Sequence, residues 1–153
     1  MAQDDVGSQV ELKPEGGPLE LPDPATIPPQ AVMKAALQEY ADATNRGDAA
    51  ALVALFAPEA TIEDPVGAPL KRPDAFQAWF DATVAYRARI TPIGPIRGSW
   101  SNEAALVFDV EYDANGRRLR TRTLDVCTFN PEGKITSLRA FWGPEDVEDL
   151  GPL

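Results

Sequence analysis

Two kinds of periodicity divide this chain, helical spacing first and strand spacing afterwards. Between residues 30 and 87, apolar side chains recur every three or four residues, which is typical of amphipathic helices. From residue 87 onward, apolar and polar side chains alternate, which is typical of half-buried strands. The four alternating segments can pair as one antiparallel sheet. The helices and the sheet then bury their apolar faces against each other. The order therefore predicts an α+β fold with helices on one face of a curved sheet.

Glycine and proline set the predicted boundaries. Pro58 ends the second helix, and Asn115-Gly116 is a hairpin turn between two strands. A strand that contains Pro92 and Pro95 must lie at a sheet edge or be bulged, because proline cannot donate to a ladder. The predicted elements are helices at 30–47, 49–56 and 72–87 and strands at 60–64, 87–98, 103–112, 118–129 and 134–142.

The N-terminal stretch differs in composition from the rest. The first 30 residues hold six acids, one base and six of the fifteen prolines, with no aromatic residue. Such a segment cannot bury a core. We expect a disordered extension over 1–28, one folded domain over 29–143, and a loose acidic tail over 144–153.

Charge and hydropathy exclude several classes of function. A net charge of −10 without a basic stripe disfavours nucleic acid as a partner. No apolar run approaches the roughly 18 residues of a membrane span, so no membrane insertion is expected. The chain also lacks the basic and apolar regions of a signal peptide, and its one cysteine, Cys127, excludes an intrachain disulfide. These features predict a cytoplasmic protein.

The sequence contains no histidine. Catalytic triads that use imidazole and histidine metal clusters are therefore excluded. If the protein is an acid–base enzyme, carboxylates, tyrosines or lysines must move the protons.

Asp125 occupies an unusual position in the segment 118–129. Strand alternation places three arginines on one face and puts Asp125 on the other, between Thr123 and Cys127. An ionised carboxylate on an apolar face is costly, and the usual outcome is a raised pKa that keeps the group neutral. A surface position, or a bond from Asp125 to backbone or arginine, stays open at this stage.

Two further residues complete a candidate set. Asp64 follows Glu63 at the end of a strand, so alternation points Glu63 outward and Asp64 inward, although an aspartate before proline is also typical of a turn. Tyr40 lies on the apolar side of the first helix, where a core tyrosine is the simpler interpretation. A carboxylate base and two neutral donors together are what enolisation of a ketone requires.

Three segments carry a family resemblance, each in order and at compatible spacing: "LQEYADATNRGDAAALVALFAPEATIEDPVG", "SNEAALVFDVEY" and "LDVCTFNPEGKITSLRAFWG". In these the chain resembles the ketosteroid isomerases, members of the NTF2-like (SnoaL-like) superfamily. The resemblance implies a cone-shaped, cystatin-like fold and a steroid Δ-isomerase that needs no cofactor and no metal. It also implies a homodimer formed through the outer sheet face.

The resemblance assigns roles to particular residues. It implies that Asp64 is the general base and that Tyr40 and Asp125 donate hydrogen bonds to the dienolate oxygen. Trp142 is similar to an aromatic residue that lines the steroid pocket, although a core tryptophan is the alternative. The further substrate-binding candidates are Phe56, Phe80, Leu138 and Ala140. Phe80 stands where family members often carry a tyrosine, and Phe56 stands where some members carry another; these tyrosines support the oxyanion tyrosine.

The expected reaction moves a double bond from the β,γ to the α,β position of a 3-ketosteroid or a similar flat hydrophobic ketone. Two alternatives stay open. One is another enzyme on this scaffold, such as a polyketide cyclase or an epoxide hydrolase, because one fold hosts many chemistries. The other is a non-catalytic module that binds a hydrophobic ligand or docks a partner.

Overall fold

A computed structural model describes residues 20–153 and confirms the predicted order of helices and strands. From residue 20 to residue 85, the structure contains a 3₁₀ turn and three helices. The elements are the 3₁₀ turn Pro24–Thr26, α1 (Gln30–Arg46), α2 (Ala49–Val53), β1 (Phe56–Glu63), α3 (Pro73–Ala85), β2 (Arg89–Pro92), β3 (Glu103–Ala114), β4 (Arg117–Phe129), β5 (Ile135–Phe141), the 3₁₀ turn Pro144–Asp146, and β6 (Val147–Pro152).

All six strands form one mixed sheet in the order β1-β5-β4-β3-β2, and β6 also pairs with β4. The four alternating segments are antiparallel neighbours, as predicted, while β1 runs parallel to β5. Asn115 and Gly116, both at positive φ, make the tight turn between β3 and β4. The short β2 ends at Pro92 on the sheet edge, where a missing backbone donor is tolerated.

The helices supply one side of the core and the inner sheet face supplies the other. In α1, Met33, Leu37 and Ala41 are almost fully buried at helical spacing. Gly47 ends the helix in the left-handed conformation, and its backbone N–H donates to carbonyls of the last turn. The Asp48 side chain accepts a hydrogen bond from the backbone N–H of Ala51 and so caps α2, as predicted.

The predicted end of the second helix is wrong. The helix stops at Val53, and Phe56 already belongs to β1, which continues through Pro58. Phe56 pairs with Ile135 at the start of β5, and the ladder is irregular between Phe56 and Thr61. Pro58 is accommodated there because β1 is an edge strand with a break in its register.

The acidic tail, expected to be loose, forms a 3₁₀ turn and the strand β6. Two ion pairs join it to β4, Arg117 with Asp149 and Arg120 with Glu148. The arginines of β4 attract the acids of the tail, and strand pairing supplies the backbone hydrogen bonds.

Much of the predicted disordered extension, residues 1–19, lies outside the described residues, so its state stays a prediction. No described helix is both long and apolar enough to cross a membrane.

Candidate active site

The inner face of β4 confirms the alternation that singled out Asp125. Thr121, Thr123 and Asp125 point inward and are 2, 5 and 3% exposed. On the outer face, Arg118 and Arg122 pair with acids of β3. The arginines are thus turned away from Asp125, and a salt bridge between Asp125 and its strand neighbours is excluded.

The register of β1, β5 and β4 brings Asp64 close to Asp125. Glu63 pairs with Arg139, so Asp64 follows beside Ala140, and Ala140 in turn pairs with Asp125. The two aspartates therefore lie on either side of Ala140, about two strand spacings apart, or roughly 10 Å between backbones.

An apolar cavity of about 320 Å³ opens between this part of the sheet and the helices α1 and α3. Its size lies near the lower end of the roughly 300–1,000 Å³ that is usual for ligand pockets. The lining residues are Tyr40, Thr44, Asp64, Trp79, Ala82, Thr83, Tyr86, Ala88, Ile90, Phe108, Val110, Tyr112, Thr121, Thr123, Asp125 and Trp142. The structure thus brings together Tyr40, Asp64, Asp125 and Trp142.

Burial raises the pKa of Asp125 well above its ordinary range, and the negative charge of Asp64 raises it further. The Thr123 hydroxyl donates to Asp125 Oδ1 at 3.1 Å, which opposes this rise. These influences favour a neutral carboxyl group. Its Oδ2 has no hydrogen-bond partner among residues 20–153, so a protonated Asp125 can donate into the cavity.

Asp64 has a more favourable environment for its charge. Burial raises the pKa of Asp64 above its ordinary value, and two neighbours offset only part of this rise: the Trp142 indole Nε1–H, which donates to Asp64 Oδ1 at 2.7 Å, and the positive charge of Lys71. Lys71 stands over the Trp79 ring, with Nζ 3.9 Å from the ring centroid. Since the charge of Asp64 also raises the pKa of Asp125, ionisation of Asp64 keeps its neighbour protonated.

Tyr40 reaches the cavity from the middle of α1. Burial raises the pKa of Tyr40 well above its ordinary value, and the charge of Asp64 adds to this rise, so the hydroxyl is a neutral donor. The Tyr40 ring packs edge-on against Phe80, with ring centroids 6.3 Å apart. The ring centroids of Phe56 and Phe80 are 5.7 Å apart, so Phe56 packs against the phenylalanine that contacts Tyr40.

The other predicted binding residues lie in the core and not in the cavity wall. Phe56 is 9% exposed, while Phe80, Leu138 and Ala140 are each 1% exposed, and none of the four lines the cavity. Glu63 points outward, where it accepts hydrogen bonds from the backbone of Gly67 and from Arg139, as its alternation with Asp64 predicts.

Sequence reasoning missed several cavity residues. Thr123 stands two positions before Asp125 on the same strand face, a spacing that could have identified it. Tyr112 and Thr121, whose hydroxyls are 2.9 Å apart, share that inner face but lie on different strands. The stacking of Lys71 on Trp79 joins a loop to a helix and carries no local signal. Residues 20–153 contain no cluster of acidic or cysteine side chains arranged to hold a metal ion.

The fold and the cavity define the class of protein: residues 37–138 match the SnoaL-like domain family, whose architecture is the NTF2-like cone. Within this class, a steroid Delta-isomerase of Nocardioides simplex is 42% identical over 117 residues, which cover 76% of this chain and 94% of that protein. The chain therefore belongs to the steroid Δ-isomerase (ketosteroid isomerase) family.

An epoxide hydrolase and an epoxide hydrolase/cyclase-like enzyme are also similar. Epoxide hydrolase LasB of Streptomyces lasalocidi is 29% identical over 125 residues, 78% of this chain and 44% of that protein. A solved structure of SalBIII, an epoxide hydrolase/cyclase-like enzyme in pyran ring formation in polyether salinomycin, superposes with a TM-score of 0.71 at 34% identity. It covers 79% of this chain and 95% of its own. These likenesses agree with the predicted cone-shaped α+β fold.

Proposed function

We propose that this steroid Δ-isomerase converts a β,γ-unsaturated 3-ketosteroid (Δ5) to the α,β-conjugated ketone (Δ4). Asp64 is the general base, and Tyr40 and Asp125 are the hydrogen-bond donors to the ketone oxygen. The observation that carries the proposal is the difference between two carboxyl groups in one apolar cavity. Burial and the charge of Asp64 raise the pKa of Asp125 well above its ordinary value, while an indole N–H and a lysine oppose the rise that burial causes in the pKa of Asp64.

The proposed reaction moves one proton and no other group. Asp64 removes a proton from the carbon between the ketone and the alkene, and the electrons of that C–H bond flow into a dienolate. Tyr40 and Asp125 donate to the enolate oxygen, where the negative charge collects. Asp64 then returns the proton two carbons further along, which leaves the double bond in conjugation with the ketone. Because all atoms stay within the substrate, the step needs no cofactor.

The cavity wall suits a flat hydrophobic substrate. Ile90, Phe108 and Val110 of the inner sheet face lie opposite Trp79 of α3, and these side chains exclude water from the reacting groups. In such surroundings a hydrogen bond to developing charge is stronger than in water.

The direct test is the absorbance of the conjugated enone formed from a Δ5-3-ketosteroid. Asp64→Asn keeps the size of the side chain but removes the base, so we expect kcat to fall by about 10²-fold to 10⁴-fold. Asp42→Asn is the matched control, because Asp42 is exposed on α1 and does not line the cavity. Turnover by Asp64→Asn equal to that of the parent would eliminate Asp64 as the base.

Epoxide opening is the second candidate, favoured by the likeness to LasB and SalBIII. A neutral Asp125 could protonate an epoxide oxygen while an ionised Asp64 activates water or a substrate hydroxyl. Turnover of an epoxide without isomerisation of a Δ5-3-ketosteroid would favour this reaction. Tight steroid binding without any turnover would instead favour a binding module.

The proposed homodimer uses the outer sheet face. Leu124 and Phe141 pair in register on β4 and β5, and are 40 and 42% exposed. Two neighbouring apolar side chains of this size suit a contact with a second copy. Sedimentation equilibrium tests the assembly, and a monomer at micromolar concentration would contradict it.

A further inference from the structure

A second group of polar side chains, Tyr112 and Thr121, lines the cavity at a distance from Asp125. The hydroxyl oxygens of Tyr112 and Thr121 are 2.9 Å apart, and both residues line the cavity. Thr121 is only 2% exposed, so this pair is not an ordinary surface contact.

The strand register gives the separation between the two polar groups. Thr121 and Asp125 point inward from β4 four residues apart, which is about 13 Å at the usual rise of a strand. Val110 of β3 pairs with Thr121, and Tyr112 lies one inward-facing position further along β3. Between these polar ends the wall contains Phe108 of β3 and Thr123 of β4, whose hydroxyl already donates to Asp125. The cavity thus has two polar ends joined by this wall.

The exposed Tyr86 marks the position of the second polar group. Tyr86 lines the cavity, and its backbone carbonyl accepts a hydrogen bond from the backbone of Asp113, next to Tyr112. The hydroxyl pair therefore lies near a residue that reaches the protein surface. A fused four-ring ketone with its ketone oxygen at Asp125 would extend its last ring towards the pair.

The hydrogen-bonding capacity of the pair is incompletely used. Each hydroxyl has one hydrogen and two acceptor positions, and their mutual bond consumes one hydrogen. Within residues 20–153, neither hydroxyl has a further partner. One hydroxyl hydrogen and several lone pairs thus stay available to a ligand.

We propose that Tyr112 and Thr121 form a second polar subsite that binds a carbonyl or hydroxyl oxygen on the ring furthest from the reacting ketone. The inference rests on the proposed isomerase function and assigns this residue pair to the distal oxygen of the substrate. A substrate without the distal oxygen leaves the free hydroxyl hydrogen unpaired in an apolar cavity, which disfavours it.

Two Δ5-3-ketones that differ in one carbonyl test the subsite: androst-5-ene-3,17-dione and androst-5-en-3-one. The readout is the ratio of their kcat/KM values, dione over monoketone. A neutral hydrogen bond corresponds to roughly a twofold to tenfold effect. We therefore expect this ratio to fall by that factor in Tyr112→Phe and in the double variant Tyr112→Phe/Thr121→Val.

Two variants separate hydrogen bonding from packing. Thr121→Ser keeps the hydroxyl and should keep the ratio of the parent. Thr136→Val makes the same chemical change as Thr121→Val, but Thr136 donates to the backbone of Thr128 outside the cavity, so the ratio should also be unchanged. Circular dichroism identifies a variant that fails to fold. The double variant avoids leaving either hydroxyl without its partner.

A ratio that stays at the parent value in folded Tyr112→Phe and in the double variant overturns the subsite. If the parent isomerises neither ketone, the proposed function fails, and binding then decides the subsite separately. Quenching of tryptophan fluorescence gives dissociation constants for androst-4-ene-3,17-dione and androst-4-en-3-one, since Trp79 and Trp142 line the cavity. The same fall in the affinity ratio supports the subsite, and an unchanged affinity ratio excludes it.

Discussion

The raised pKa of Asp125 makes the stability of the protein depend on pH in a specific direction. We expect Asp125→Asn to become progressively more stable than the parent as the pH rises from 5 to 7. The amide fits this site because its oxygen can accept from Thr123 and its nitrogen can donate into the cavity, as the protonated carboxyl does.

The sign follows from the protons bound in each state. The pKa of Asp125 in the folded protein is raised well above the ordinary value, whereas in the unfolded chain it is about 3.9. Above pH 4 the unfolded chain has lost a proton that the folded protein keeps, so the free energy of unfolding of the parent falls as the pH rises. It falls until the pH passes the folded pKa. The amide of the Asp125→Asn variant carries no such proton, and that slope disappears.

The magnitude is set by one proton. Each pH unit in which the folded carboxyl keeps its proton lowers the free energy of unfolding of the parent by about 1.4 kcal/mol relative to the variant. Over the two units from pH 5 to pH 7 the full effect is about 2.7 kcal/mol, and this is its upper limit. Asp64 is present in both proteins, so most of its own contribution cancels in the difference.

Urea unfolding at a series of pH values, followed by tryptophan fluorescence, measures this difference. Asp109→Asn is the matched control. The pKa of Asp109 is lowered by its hydrogen bond to Arg122, so Asp109 is ionised in both states from pH 5 to pH 7. The difference between this control and the parent should therefore be independent of pH. Parallel curves for the parent and Asp125→Asn over this range would show that Asp125 is ionised in the folded protein and would refute its role as a neutral donor.

Two substitutions test how Asp64 is kept ionised. Trp142→Phe removes the indole N–H that lowers the pKa of Asp64, so the pKa rises and the acid side of the kcat/KM profile moves to higher pH. A hydrogen bond to a charged group is worth about 1.5–3 kcal/mol, or roughly a tenfold to hundredfold lower kcat/KM on the acid side. Lys71→Met removes a positive charge and should shift the profile in the same direction, with roughly a twofold to fivefold loss. Lys134→Met is the control and should leave the profile unchanged, because Lys134 donates to the backbone carbonyl of Ala54, away from the cavity. If the acid side of the kcat/KM profile is unchanged in both Trp142→Phe and Lys71→Met, a group other than Asp64 titrates there.

Local periodicity predicted the elements and the orientation of Asp125, because both depend on neighbours within one segment. The arginines on the outer face of β4 made its inward face easy to recognise, and the structure confirms it. The same reasoning failed at Phe56. The helical pattern of the sequence continues through Phe56. In the structure Phe56 belongs to β1 instead, because it pairs with Ile135, which is distant in sequence. Long-range pairing also explains β6, since the acids of the tail meet the arginines of β4 only in the folded chain.

For the candidate site, too, local features could be predicted from the sequence and long-range contacts could not. Each of Tyr40, Asp64 and Asp125 was identified from its own segment, but their proximity depends on two strand pairings, β1 with β5 and β5 with β4. The Trp142–Asp64 hydrogen bond depends on the parallel pairing as well. Alternation in the sequence predicts the sheet face to which a side chain points. It does not predict which residue of a distant strand lies opposite. For this reason Tyr112 and Thr121 could be assigned to one sheet face, whereas their contact required the register of β3 against β4.

The two aspartates show how one apolar cavity can give two carboxyl groups opposite roles. Burial raises the pKa of both, so burial alone would make both neutral. The difference lies in their partners: Asp64 receives an indole N–H and lies near Lys71, whereas Asp125 receives the neutral Thr123 hydroxyl and the repulsion of Asp64. Once Asp64 is ionised, a second negative charge on Asp125 is disfavoured, so an ionised Asp64 and a neutral Asp125 favour each other. In the proposed reaction, transfer of the substrate proton to Asp64 would remove the negative charge that repels the oxyanion at Asp125 and Tyr40.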